Sequence, residues 1–110
     1  MSYKIVYSKQ ADNDIESIYT YIAFELLSPV NAENQYKRIT NAINSLENFP
    51  ARNPKYSNII WHTIELRILL VDNYIVFYSI DENKKNVLIQ SIMYGGRDIH
   101  EHLFHQKKPD

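Results

Sequence analysis

Apolar and polar positions alternate with period two at the start of the chain, where Tyr3, Ile5 and Tyr7 interleave with Lys4, Val6 and Ser8, and this predicts a short strand over Tyr3–Ser8. The period then changes. Ala11, Ile15, Ile18, Ile22 and Leu26 recur at spacings of four and three, one continuous apolar stripe of a helix that Ser8 caps and that runs to about Leu27. Asp12, Asp14 and Glu16 crowd its first turns, where the positive end of the helix dipole favours carboxylates. Ser28–Pro29 ends this helix and starts a second, since proline disfavours helical geometry in the residue before it and suits the first helical position. Ala32, Tyr36, Ile39, Ile43 and Leu46 form the second seam, with Phe49 expected to close its end and Pro50 to stop it.

Residues 50–63 hold two prolines and several turn formers, and they make the longest irregular stretch. Beyond it the period returns to two. Ile64, Leu66, Ile68 and Leu70 fall on one face of a strand, opposite Glu65, Arg67, Leu69 and Val71. Asp72–Asn73 then reads as a hairpin turn, Tyr74–Ile80 as a strand, Asp81–Asn86 as a turn and Val87–Tyr94 as the last strand, ended by Gly95–Gly96. Asp98–Phe104 fits one more helical turn or a strap across the sheet, and His105–Asp110 is a polar tail expected to fray. The order strand, helix, helix, strand, strand, strand predicts an α+β domain over residues 1–104. In it a helix hairpin packs on one face of a mainly antiparallel four-stranded sheet, with the ribbon of residues 64–104 leaving its other side free.

Composition narrows the chemistry. With 110 residues, 45% of them hydrophobic and 13% aromatic, the chain supports one compact domain rather than two. It has no cysteine, which removes disulfides, thiolate zinc sites and cysteine nucleophiles and suits a reducing, cytoplasmic setting. No apolar run approaches a membrane span, and the start lacks the pattern of an export signal. The formal net charge of −1 is not the cationic footprint of a nonspecific phosphate binder. Charge is split, however, with a net of −2 over residues 1–49 and of +1 over residues 50–110, which leaves room for a local basic site in the second half.

Arg52 and Lys55 in the loop, Arg67 on the following strand and Arg97 beyond the last strand are the candidate cations, and Tyr94 is the candidate aromatic contact. Each has a plainer use. Arg67 is placed to pair with Glu65 or a neighbouring strand's carboxylate, Arg97 to bond a strand-end carbonyl or Asp98, and Trp61–His62 to anchor the loop. His100 and His102 make a His-x-His pair without a third ligand, so neither a metal nor a cofactor is expected. Lys84–Lys85 is a solvated hairpin tip, and Tyr74, Tyr78 and Tyr94 serve the core or sheet surface, or stack on a base.

The opening YKIVYSKQADNDIESIYTYI, the segment NSLENFP, and ELRILLVDNYIVFYSIDENKKNVLIQSIMYGGRDIHEHL resemble, in that order, the RelE/ParE superfamily of toxins over roughly residues 3–104. The resemblance implies a toxin of a bacterial type II toxin–antitoxin module, of the kind that stabilises plasmids, arresting growth until a cognate antitoxin neutralises it. It also implies operator DNA contacted only through that antitoxin. Two mechanisms are implied, one a ParE-type inhibition of DNA gyrase and the other a RelE-type, metal-independent cleavage of messenger RNA on the ribosome. For the nuclease, Arg67 and Arg97 would stabilise phosphate charge while His62 or His100 moves the proton. Leu103 stands where some RNA-cutting relatives carry tyrosine, the lysine cluster is reduced to Arg52 and Lys55, and GGRDIHEHL is closer to the ParE-type ending. The gyrase reading is therefore favoured, with Arg52, Lys55, Arg67, Tyr94 and Arg97 as target contacts and a nontoxic binding domain as the remaining alternative.

Overall fold

The computed structural model describes residues 2–56 and 65–95. Strand β1 spans Lys4–Tyr7, helix α1 Lys9–Thr20, helix α2 Pro29–Asn44, and strands β2, β3 and β4 Arg67–Val71, Tyr74–Asp81 and Asn86–Tyr94. The sheet order is β1-β4-β3-β2. The last three strands form the expected antiparallel ribbon, and β1 joins β4 in parallel, so the first and last strands lie side by side.

Local chemistry sets the helix starts. The Ser8 hydroxyl accepts the Ala11 amide at 2.9 Å and donates to the Gln90 carbonyl on β4 at 2.8 Å, capping α1 and fixing it to the sheet in one residue. Pro29 occupies the first turn of α2 as its fixed φ favours. The stripe of α1 does not continue to Leu26. Tyr21–Glu25 is a π-helical turn in which the Leu26 amide bonds back to the Tyr21 carbonyl at 3.0 Å. The wider turn rotates the following side chains, so that Ala23 is buried and Leu26 exposed.

One core lies between the helices and the sheet, built from Ala11, Ile15, Ile39, Ile43 and Leu46 on the helical side and Val71, Val76, Tyr78, Val87, Ile89 and Ile92 on the strands. The other face of the ribbon is not bare. Leu66, Phe77 and Met93 are buried there with Tyr56, Ile68 and Ile75 packed against them, and the Tyr56 and Phe77 rings meet edge to face at 5.4 Å. Sequence parity hid this second core, because a period of two says only that two faces differ. Leu70 alone of its face on β2 stays largely open, at 67% exposure.

A register shift between Phe77 and Tyr78 skips Gln90 and places a bulge in β4. The buried Asp14 of α1 answers it, accepting the freed Ile92 amide at 2.9 Å and the Ser91 hydroxyl at 3.2 Å, while Gln10 donates to its other oxygen at 2.7 Å. Asp14 is thus a latch between α1 and β4, outside the first turn where Asp12 sits. At the far end of the ribbon Gly95 donates to the Asn73 carbonyl at 2.7 Å, and a Cβ on Gly95 would stand 3.1 Å from that oxygen.

Candidate functional site

After α2 the chain makes a short 3-10 turn, Ser45–Glu47, and a second, Pro50–Arg52, with Phe49 between them in the left-handed region at φ 52°. A left-handed bulky residue is costly, by about 1–2 kcal/mol, because its Cβ crowds the following carbonyl. Side chains from three directions hold this turn. Arg52 folds back on the helix end, its Nη1 donating to the carbonyls of Asn48 at 2.6 Å and of Ser45 and Phe49 at 3.3 Å, and its Nη2 to the Ser45 hydroxyl at 2.7 Å. Tyr78, fully buried on β3, donates its hydroxyl to the Pro50 carbonyl at 2.5 Å and accepts from Asn53 Nδ2 at 3.1 Å. Arg67 Nη1 donates to the carbonyls of Asn53 at 2.6 Å and Ala51 at 3.1 Å.

The expected pairing of Arg67 with Glu65 or a neighbouring strand's carboxylate is corrected by the structure, since no carboxylate among the described residues lies within salt-bridge distance of Arg67. Glu65 instead binds Lys55, N to O 2.7 Å, across an isolated bridge between Lys55 and Arg67, and this bond together with the ammonium charge holds the Glu65 carboxyl below its usual range. Lys55 and Arg67 are brought to one place because Pro54–Tyr56 lies along the edge of β2, the Tyr56 amide bonding the Leu66 carbonyl at 2.8 Å and the Ile68 amide the Pro54 carbonyl at 3.1 Å. Among the described residues neither Arg52 nor Arg67 has a carboxylate partner within salt-bridge distance. Burial pushes the Tyr78 phenol up, opposed by its bond from Asn53 and by the two guanidinium charges.

Three of the expected cations, Arg52, Lys55 and Arg67, therefore converge at the end of α2 and the start of β2. Tyr94 does not join them. It lies at the other end of the ribbon, where Val71, Tyr74 and Tyr94 are in register, about 13 Å of strand away from Arg67. There its ring meets that of Tyr74 edge to face at 5.7 Å, and the Tyr74 phenol is pushed up by burial and by its tyrosine neighbours. His62, Arg97 and His100 lie outside the described residues, as do Trp61, His102 and Leu103.

Two residues of this region escaped the sequence reading. For Tyr78 the pattern predicts a place in the core or on the sheet surface, or stacking on a base, and a period of two gives no sign that its hydroxyl holds a turn 28 residues away. Phe49 was expected to close the end of α2 and is instead 82% exposed. The seam that assigned it inward assumes a continuing helix, and the left-handed step at Phe49 swings the ring outward. Among the described residues no group of three or more His, Cys, Asp or Glu is placed to hold a metal ion, and no helix is long and apolar enough to cross a membrane.

Comparison with solved structures shows the same fold. The chromosomal ParDE toxin–antitoxin system of Pseudomonas aeruginosa contains a chain that superposes with a TM-score of 0.70 at 16% identity, covering 84% of this chain and 96% of that one. A chain of the archaeal RelE–RelB complex from Pyrococcus horikoshii matches with a TM-score of 0.61 at 20% identity, covering 89% and 100%. One from the toxin–antitoxin complex RelBE2 of Mycobacterium tuberculosis matches at 0.57 with 17% identity, covering 86% and 92%. No curated protein matches in sequence. The sequence itself matches, over residues 5–99, the model of the ParE toxin of type II toxin–antitoxin systems (parDE), and the chain belongs to that family.

Proposed function

We propose that this toxin arrests growth by binding and inhibiting DNA gyrase, and that a cognate antitoxin neutralises it. The observation that carries the reading is the use made of the cations. Arg67 and Arg52 direct their guanidinium donors at backbone carbonyls of the 45–53 segment, and Lys55 is paired with Glu65, so the basic cluster shapes the protein surface. A phosphate-cutting site needs donors aimed at a developing charge outside the protein and a group to move the proton. Net charge of −1 fits a protein target better than a ribosomal RNA one. The ParE family match and the ParDE and RelE–RelB folds support the toxin class and an antitoxin partner.

The second reading, a ribosome-dependent messenger-RNA endoribonuclease, draws on the convergence of Arg52, Lys55 and Arg67, and takes Arg97, His62 and His100 from the sequence alone, since they lie outside the described residues. One experiment separates the two. After induction, DNA, RNA and protein synthesis are followed by pulse labelling while purified protein is titrated into a gyrase supercoiling reaction. The gyrase reading expects DNA synthesis to stop first and supercoiling to be inhibited; active gyrase with translation stopped first and codon-aligned cuts in messenger RNA would reject it.

A further inference from the structure

The turn at the end of α2 is held far more firmly than its length requires, and the side chain it leaves outside is a phenylalanine. The carbonyls of Asn48, Phe49, Pro50, Ala51 and Asn53 all accept bonds from the side chains of Arg52, Tyr78 or Arg67. Those bonds fix the backbone in which Phe49 takes φ 52°, a conformation that a bulky side chain adopts only when its surroundings over-determine it. The ring gains little from the monomer in return, being 82% exposed. Leu27 shares the left-handed φ and the exposure, but it ends the π-helical turn with backbone bonds around it, as helix ends commonly do.

We infer that Phe49 is a preformed anchor for a partner protein, entering an apolar cavity whose rim carries carboxylates that face Arg52 and Arg67. Three observations on this surface point to that occupant. An exposed aromatic beside arginines is the composition of interface positions that carry most of a binding energy. Arg52 and Arg67 donate to neutral backbone carbonyls of this turn and lack carboxylate partners among the described residues, so the turn that carries Phe49 keeps their formal positive charge, and an acidic rim complements it. Immobilising the backbone in the free protein removes an ordering cost at binding. Nucleic acid fits less well, because a strand-binding surface repeats aromatic platforms along a cationic track, and among the described residues this turn carries one exposed ring, with Arg52 and Arg67 already turned to carbonyls.

The inference rests on the toxin acting on a protein, and it adds the contact by which it does so. Phe49→Gly tests it, since glycine takes φ 52° without strain and only an exposed side chain is removed. The variant should melt at or above the wild-type temperature while the concentration needed to inhibit gyrase supercoiling rises about thirtyfold, the loss of one strong interface anchor. Inhibition equal to wild type overturns the proposal, and so does a lowered melting temperature with a parallel loss of inhibition, which would make the ring a packing group. If the wild-type protein leaves gyrase untouched, the gyrase reading fails and growth arrest decides this one. Arrest lost in folded Phe49→Gly protein, with messenger RNA uncut by the wild type, supports a protein anchor. Arrest retained, or arrest lost together with RNA cleavage, overturns it.

Discussion

Replacing Asp14 by alanine removes the carboxylate that joins α1 to the bulge of β4. The Ile92 amide then loses its 2.9 Å acceptor in a place where Ile92 and Ser91 are almost wholly buried, so water does not replace it. A hydrogen bond to a charged group contributes about 1.5–3 kcal/mol, and the orphaned Ser91 hydroxyl adds up to about 1 kcal/mol, giving a loss of roughly 2–4 kcal/mol. Unfolding entropy near 2.1 cal/mol/K per residue makes about 4 °C per kcal/mol for a chain of this size, so the melting temperature should fall by roughly 9–17 °C. Urea unfolding followed by circular dichroism measures the loss, and amide exchange locates it, with the Ile92 amide expected to lose protection first. Ser91→Ala is the companion, costing about 1 kcal/mol because the Ile92 bond persists. An Asp14→Ala protein within about 1 kcal/mol of wild type, with Ile92 still protected, would refute the latch.

Two further outcomes test the turn and the core. Tyr78→Phe leaves the Pro50 carbonyl and the Asn53 amide without their shared hydroxyl and should cost about 1–3 kcal/mol in urea unfolding; an unchanged midpoint would mean that Arg52 and Arg67 hold the turn without it. Burial, with Tyr36 and Asp12 adding, pushes the Tyr7 phenol up to about 12 from an ordinary value of 10.0. The folded protein thus holds Tyr7 neutral where the unfolded chain ionises, so stability present below pH 10 is lost as the pH rises from 10 to about 12. Tyr7→Phe should flatten that alkaline loss, and identical alkaline unfolding curves for the two proteins would contradict it.

Much of the fold was legible because each element announces itself locally. Ser8 caps whatever helix follows it, Pro29 starts one, and the change of period after the loop marks the ribbon of β2, β3 and β4 wherever it packs. The resemblance of those segments to RelE/ParE toxins fixed the family as well. Partnership across the chain was not legible. Parity allows β1 either edge of the sheet, and only the packing of the helix hairpin sets it parallel to β4. Asp14 reads as a dipole residue until a bulge 78 residues away presents an amide to it. Arg67 shares a strand face with Glu65 by parity and yet turns to the carbonyls of Ala51 and Asn53, while Glu65 takes Lys55, because the 50–56 segment packs along the edge of β2 and supplies both sets of partners. Phe49 shows the same division most plainly. Its apolar character and its place at the end of the helical seam predict burial, and a single left-handed backbone step, stabilised by residues from β2 and β3, turns it to solvent. Sequence determines which residues prefer helix, strand or turn, because those preferences are set within a few bonds. Which side chain satisfies which distant backbone group is decided only when the layers pack, because that depends on distances between segments that no local preference encodes.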